Sequence, residues 1–231
     1  MSERRALARS LTQHLDGLRA FGVTALPAPA TMRRGPAQAA SAADAGPSKE
    51  AQLEELAREV QRCRRCPLYR TRTHAVISDG TMRARLVFVG EAPGREEDLQ
   101  GKPFVGAAGQ LLTKMIEAMG LRRDEVYICN VLKDRPPGNR TPLPEEVEAC
   151  LPFLDRQLRI VAPEVICVLG AVAAKALLGP HVAITKIRGT VMEYGGIPVV
   201  PTFHPAYLLR NPPAKKYAWI DLKLVKRLLG K

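Results

Sequence analysis

A chain of 231 residues with 46% apolar content holds enough material for one α/β domain with a full core, plus an appendage. Its formal charge of +12 favours a polyanionic partner, because each phosphate neutralised by Lys or Arg releases counterions, although charge alone separates neither DNA from RNA nor either from ribosomes. No apolar run approaches a membrane span and MSERRALARS lacks the apolar core of a secretory signal, which leads us to expect a cytoplasmic protein with no membrane partner.

Leu7, Leu11, Leu15, Leu18 and Phe21 recur at helical spacing, predicting an amphipathic helix within residues 1–24 that stops at Gly22. Residues 25–48 shift to Ala, Pro, Gly and Ser and read as a disordered linker, since they bury too little surface to offset ordering. A helix over about Lys49–Gln61 then leads into Cys63-Arg64-Arg65-Cys66-Pro67. A redox dithiol usually opens a helix after a strand, whereas this pair follows a helix and precedes a proline, so the C-x-x-C reads first as a metal-binding pair.

Leu86–Val89 is an apolar, β-prone run that delivers the chain to Gly90, where Glu91-Ala92-Pro93-Gly94 must turn, holding the Glu91 carboxylate at a strand end. A second turn-rich piece, Gly101-Lys102-Pro103-Phe104-Val105-Gly106, precedes a helix carrying Leu111, Leu112, Met115, Ile116 and Met119. In an open α/β sheet such a strand-to-helix junction is where ligands bind. A phosphate-cradling loop does not fit, because six residues separate Gly94 from Gly101-Lys102 and Pro103 follows the lysine. No G-x-G-x-x-G follows the strand, so a dinucleotide site has no support. An ordinary loop with a solvated acidic run would account for the carboxylates but poorly for Phe104, set between glycines away from any core pattern.

Further strands are expected at Val126–Leu132 and Val165–Leu169, making Cys129 and Cys167 core residues, and a helix at about Pro144–Val161 carries Cys150. Asn130, at a strand's carboxyl end, offers both a donor and an acceptor; without other information it is as readily a turn cap. Ile184–Arg188 and Gly189–Val200 read as a β-ribbon turning at Tyr194-Gly195-Gly196-Ile197. His204, immediately before Pro205, is held away from helical geometry, and a basic helix over about Lys215–Leu229 closes the chain. Strands alternating with helices give the fold class α/β, with a three-layer α/β/α arrangement around a central, mostly parallel sheet.

GEAPGREEDLQGKPFVGAAGQLL resembles the first motif of the family 4 uracil-DNA glycosylases, the iron-sulfur members of their superfamily. Stretches around Asn130, Arg135-Pro136-Pro137 and HPAYLLRN resemble the same family in the same order, covering roughly Cys63 to Arg227 within a catalytic domain expected at 49–231. The resemblance implies a monomeric enzyme that flips uracil out of DNA and hydrolyses its glycosidic bond, with Glu91 and His204 catalytic. It implies that Ala92, Phe104 and Asn130 bind uracil, and that Glu97 or Asp98 shapes the pocket against the thymine methyl. Leu208 or Leu209 would fill the vacated space in DNA while Arg210 holds phosphate. It also implies a cluster of four irons and four sulfides, held by Cys63, Cys66, Cys150 and a fourth residue. There the sequence departs from the family: Asp134 stands before Arg135-Pro136-Pro137 where the family has Cys. Carboxylate is a harder ligand than thiolate. Three readings stay open, in this order: Asp134 is the fourth ligand, Cys129 substitutes for it, or the cluster is labile or absent. An acid at Glu91 separates the chain from the related family 5, and the segment Arg135–Pro142 lacks the reactive His of a covalent uracil-binding relative, so turnover is expected. From a different class, a non-catalytic metal-containing nucleic-acid-binding protein fits the charge and cysteines equally well but gives Glu91 no purpose beside a polyanion.

Overall fold

The computed structural model describes residues 46–230; the helix expected within 1–24 and nearly all of the expected linker lie outside them. Helix α1 (Lys49–Arg62) opens the domain, its first turn capped by the Ser48 side chain, which accepts the Ala51 N–H at 3.2 Å. The other principal elements are β1 (Asp79–Gly80), β2 (Leu86–Gly90), α2 (Arg95–Gln100), α3 (Ala107–Ala118), β3 (Tyr127–Asn130), α4 (Pro144–Val161) and β4 (Val165–Leu169). They are followed by α5 (Ala171–Leu178), α6 (Ile184–Ile187), β5 (Met192–Tyr194), β6 (Ile197–Thr202), α7 (Pro205–Arg210) and α8 (Lys215–Leu228).

The strands form one sheet in the order β1-β3-β2-β4-β6-β5, whose four central members run parallel and whose edge strands β1 and β5 run antiparallel. Strands buried on both faces read as continuous apolar runs, and LVFVG and VICVL are buried at every position. Alternate side chains divide the core. Val87, Val89, Cys129, Ile166 and Val168 pack with α1, α4 and α5, whereas Leu86, Phe88, Ile128, Cys167 and Leu169 pack with α3 and α8. The molecule therefore has the three layers and mostly parallel sheet that the alternation of elements implied.

Ile184–Arg188 differs from expectation. Instead of starting a ribbon it forms α6, because Ile184 and Ile187, three apart, both lie against the core; a strand would send them to opposite faces. The ribbon is confined to β5 and β6, joined at Gly195 and Gly196, both at positive φ. Helix α2 was not legible either, since its six residues are too few to show a period.

Candidate active site

In the parallel ladder Gly90 lies opposite Asn130, and Leu169 opposite Thr202. Glu91, Asn130 and His204 consequently gather at the carboxyl edge of neighbouring strands, where open α/β sheets bind ligands. All three, with Ala92, Glu97, Phe104 and Arg210, line a cavity of about 520 Å³. Glycine is required at its floor: a Cβ on Gly90 would stand 2.4 Å from both Asn130 Oδ1 and Phe104 Cζ.

Phe104 adopts φ 55°, a left-handed conformation that costs a non-glycine residue energy and persists only where its surroundings impose it. Glu97 imposes it. Its carboxylate accepts the backbone N–H groups of Gly94, Val105 and Gly106, each at 3.0 Å, while Arg123 Nη2 donates to the Pro103 carbonyl at 2.8 Å. The Phe104 ring is thereby presented to the pocket, 5.7 Å from the His204 ring. Asp98, the alternative pocket-shaping acid, instead accepts the Thr73 N–H at 2.8 Å and is absent from the cavity wall.

Asn130 is 2% exposed, and its Oδ1 is the buried side-chain polar atom among the described residues that lacks a hydrogen-bond partner. Such an atom costs energy unless something outside the chain completes it. Its main-chain carbonyl accepts from Lys133 Nζ, a buried amine that also donates to Gln157 Oε1, so the residue is anchored while its amide stays available.

His204 caps α7, its Nδ1 accepting the Ala206 N–H at 3.2 Å, which leaves the imidazole proton on Nε2. Burial, then the Arg210 charge, lowers its pKa to about 4, so the ring is neutral near pH 7. Its backbone is held tightly. Gly170, at φ 91°, is the residue beside it, where a Cβ would come within 2.9 Å of the His204 Cβ. Asp221 on α8 accepts from Thr202 Oγ1 and pairs with Arg188, fixing the end of β6 two residues earlier. Burial raises the Glu91 carboxyl above its ordinary pKa.

The two leucines of α7 part company. Leu208 is 1% exposed and belongs to the core beside α3, whereas Leu209 is 42% exposed. Arg95, Asn139, Arg140 and Tyr207 also line the cavity and were not singled out from the sequence. For Asn139 and Arg140 the signal was the polar segment directly after β3; Arg140 is held by Glu146 at 2.8 and 2.6 Å.

Cys63, Cys66 and Cys150 share one apolar cluster, and the facing Cys150 thiol is the foremost cause of a lowered Cys66 pKa. Cys63 Sγ accepts the Arg65 N–H at 3.5 Å. No group of three or more His, Cys, Asp or Glu among the described residues converges on a single metal ion. A cubane asks less, since each iron takes one protein ligand, and the three thiols fit that demand. Asp134 fits it poorly, because both of its oxygens lie 3.0 Å from Arg72 Nη1.

A match to the Uracil DNA glycosylase superfamily spans residues 77–223. The chain is 51% identical over 166 residues to the Type-4 uracil-DNA glycosylase of Thermotoga maritima, covering 71% of this chain and 86% of that protein. It is 46% identical over 187 residues to the Type-4 uracil-DNA glycosylase of Archaeoglobus fulgidus, with 78% and 94% covered. Against the Type-5 uracil-DNA glycosylase of Pyrobaculum aerophilum it is 34% identical over 150 residues, covering 57% and 66%. A parallel sheet with a carboxyl-edge pocket and this match define a member of the uracil-DNA glycosylase superfamily. Within it, the chain belongs to the type-4 family.

Proposed function

We propose that the protein is a DNA N-glycosylase that flips uracil out of DNA, hydrolyses its glycosidic bond and so initiates base excision repair. The observation that carries this reading is the unpartnered Asn130 Oδ1 facing the cavity. Uracil presents an N3 proton to that oxygen and O4 to the amide nitrogen, the complement of what Asn130 offers.

A base inside a duplex is out of reach, so extrusion comes first, at a few kcal/mol of stacking and pairing. Leu209 is the side chain free to occupy the vacated space, and Arg210 holds phosphate beside it. In the pocket Phe104 stacks on the base, the Ala92 backbone borders it, and Glu97 holds the wall in place. Bond cleavage puts negative charge on uracil and positive charge on the sugar. Neutral His204 donates Nε2–H to uracil O2, a donor oriented before the charge develops. Glu91 stabilises the sugar cation, positions the attacking water, or does both. Cys63, Cys66 and Cys150 would hold an iron-sulfur cluster, which in this family resemblance is structural. Among the described residues no helix is long and apolar enough to cross a membrane, and cysteines that form no disulfide suit the reducing cytoplasm we propose.

The test is excision from an oligonucleotide with one deoxyuridine, alkali-treated beside a thymine control. Breaks only at uracil, lost in Glu91→Gln, are expected; binding without breaks, unaffected by Glu91→Gln, would move the protein to the non-catalytic class.

A further inference from the structure

The position where Asp134 replaces the family's cysteine has acquired a partner. Arg72 Nη1 lies 3.0 Å from both Asp134 oxygens, and the carboxylate is almost completely buried. The same guanidinium donates to the Val60 carbonyl at 3.3 Å and to the Gln61 carbonyl. Those carbonyls lie in the last turn of α1, where the helix dipole favours a cation, and the Val60 oxygen also accepts the Cys63 N–H at 3.0 Å. One side chain thus joins the end of α1, the segment after Cys66, and the loop after β3.

That is the set of segments bearing the three cysteines and Asp134: Cys63 directly follows α1, Cys66 precedes Arg72, and Asp134 lies in the loop that leads to α4 and Cys150. A four-thiolate cluster would cross-link the same pieces. Two arguments speak against Asp134 as an iron ligand. To reach iron it would have to leave the Arg72 cation, stranding a buried charge, and breaking such a pair is strongly destabilising. Iron in a sulfide cluster also prefers the softer thiolate.

We propose that Asp134 is the anion of a structural clamp with Arg72 and not a cluster ligand, so that this chain offers a cluster three thiolates and keeps its cysteine-bearing segments together without iron. The clamp also sets the pocket rim, because Asp134 stands two residues before Pro136, which lines the cavity with Asn139 and Arg140. The three-thiolate half rests on the reading of Cys63, Cys66 and Cys150 given above; the clamp half does not.

The experiment uses the full chain and its Asp134→Asn, Arg72→Met and doubly substituted variants. The iron-free forms are melted; each is also reconstituted anaerobically with iron and sulfide for iron-to-protein ratio and electron paramagnetic resonance. Each single substitution is expected to lower the iron-free Tm on the order of 10 °C. The double variant should fall less than the sum of the singles. Iron uptake and the resonance spectrum of Asp134→Asn should match wild type. Loss of iron in Asp134→Asn but not in Arg72→Met would overturn the proposal by making Asp134 a ligand, and unchanged Tm in both singles would overturn the clamp. A wild type that takes up no iron would sink the three-thiolate reading alone, leaving the clamp to the melting cycle. Should Arg72→Met fail to fold, Arg72→Lys, which keeps the charge and loses the fork, supplies the cycle with an intermediate Tm.

Discussion

Single residues set the pH behaviour and the pocket's shape. The proposed mechanism needs Glu91 ionised and His204 neutral, and burial moves both pKa values, the first up and the second down to about 4. The acid limb of kcat/KM therefore belongs to Glu91. Glu91→Gln should lower kcat by roughly 100-fold or more and leave a residual rate that stays flat until His204 protonates near pH 4. The same substitution should raise Tm at pH 7: a carboxyl whose folded pKa exceeds its unfolded one loses stability as pH rises between the two, and Gln removes that loss. The gain should vanish in melts below the unfolded pKa. Phe104 is tested through its neighbour. A Cβ on Gly109 would lie 1.8 Å from the Phe104 carbonyl oxygen, so Gly109→Ala must displace that left-handed turn. About 1–3 kcal/mol of base stacking is at stake, and kcat/KM for a uracil oligonucleotide should fall ten- to hundred-fold.

Elements decide which of two adjacent leucines is exposed and which is buried. Helix α7 turns Leu208 into the core and Leu209 outward. Leu208→Ala should cost about 2–5 kcal/mol of stability, read by urea unfolding, with excision following the folded fraction. Leu209→Ala should keep its Tm but excise uracil worse from duplex than from single-stranded DNA, where no stack needs holding open. Sequence alone could not separate the pair, because the spacing of HPAYLLRN states a motif and not a helix face. It did place Glu91, Phe104, Asn130 and His204 correctly at strand ends and loops, since apolar runs ending in Gly, Asn or His-Pro are local signals. It missed Glu97's three backbone bonds, the Arg72–Asp134 pair and the α6 turn. Each of these depends on residues brought together from as far as sixty-two positions apart, or on packing against a core that periodicity does not display.

At the scale of the whole molecule, the excess of cations should make binding to DNA strongly salt-dependent. The logarithm of the association constant should fall linearly with that of salt concentration for uracil and control duplexes alike, and Arg210→Ala should reduce the slope by about one phosphate contact. A salt-independent constant would remove phosphate neutralisation from the account. The parallel sheet also fixes when the catalyst comes into being. Pairing β2 with β4 closes the chain between Leu86 and Val165, and pairing β4 with β6 brings in Val199, so local contacts alone cannot assemble the reading groups. Glu91, Phe104 and Asn130 leave the ribosome well before His204, and the pocket they line is incomplete until β6 docks. If His204 has the role proposed for it, a nascent chain that stops short of β6 should not remove a base from nearby DNA, and activity should begin only once β6 and His204 have been made and docked.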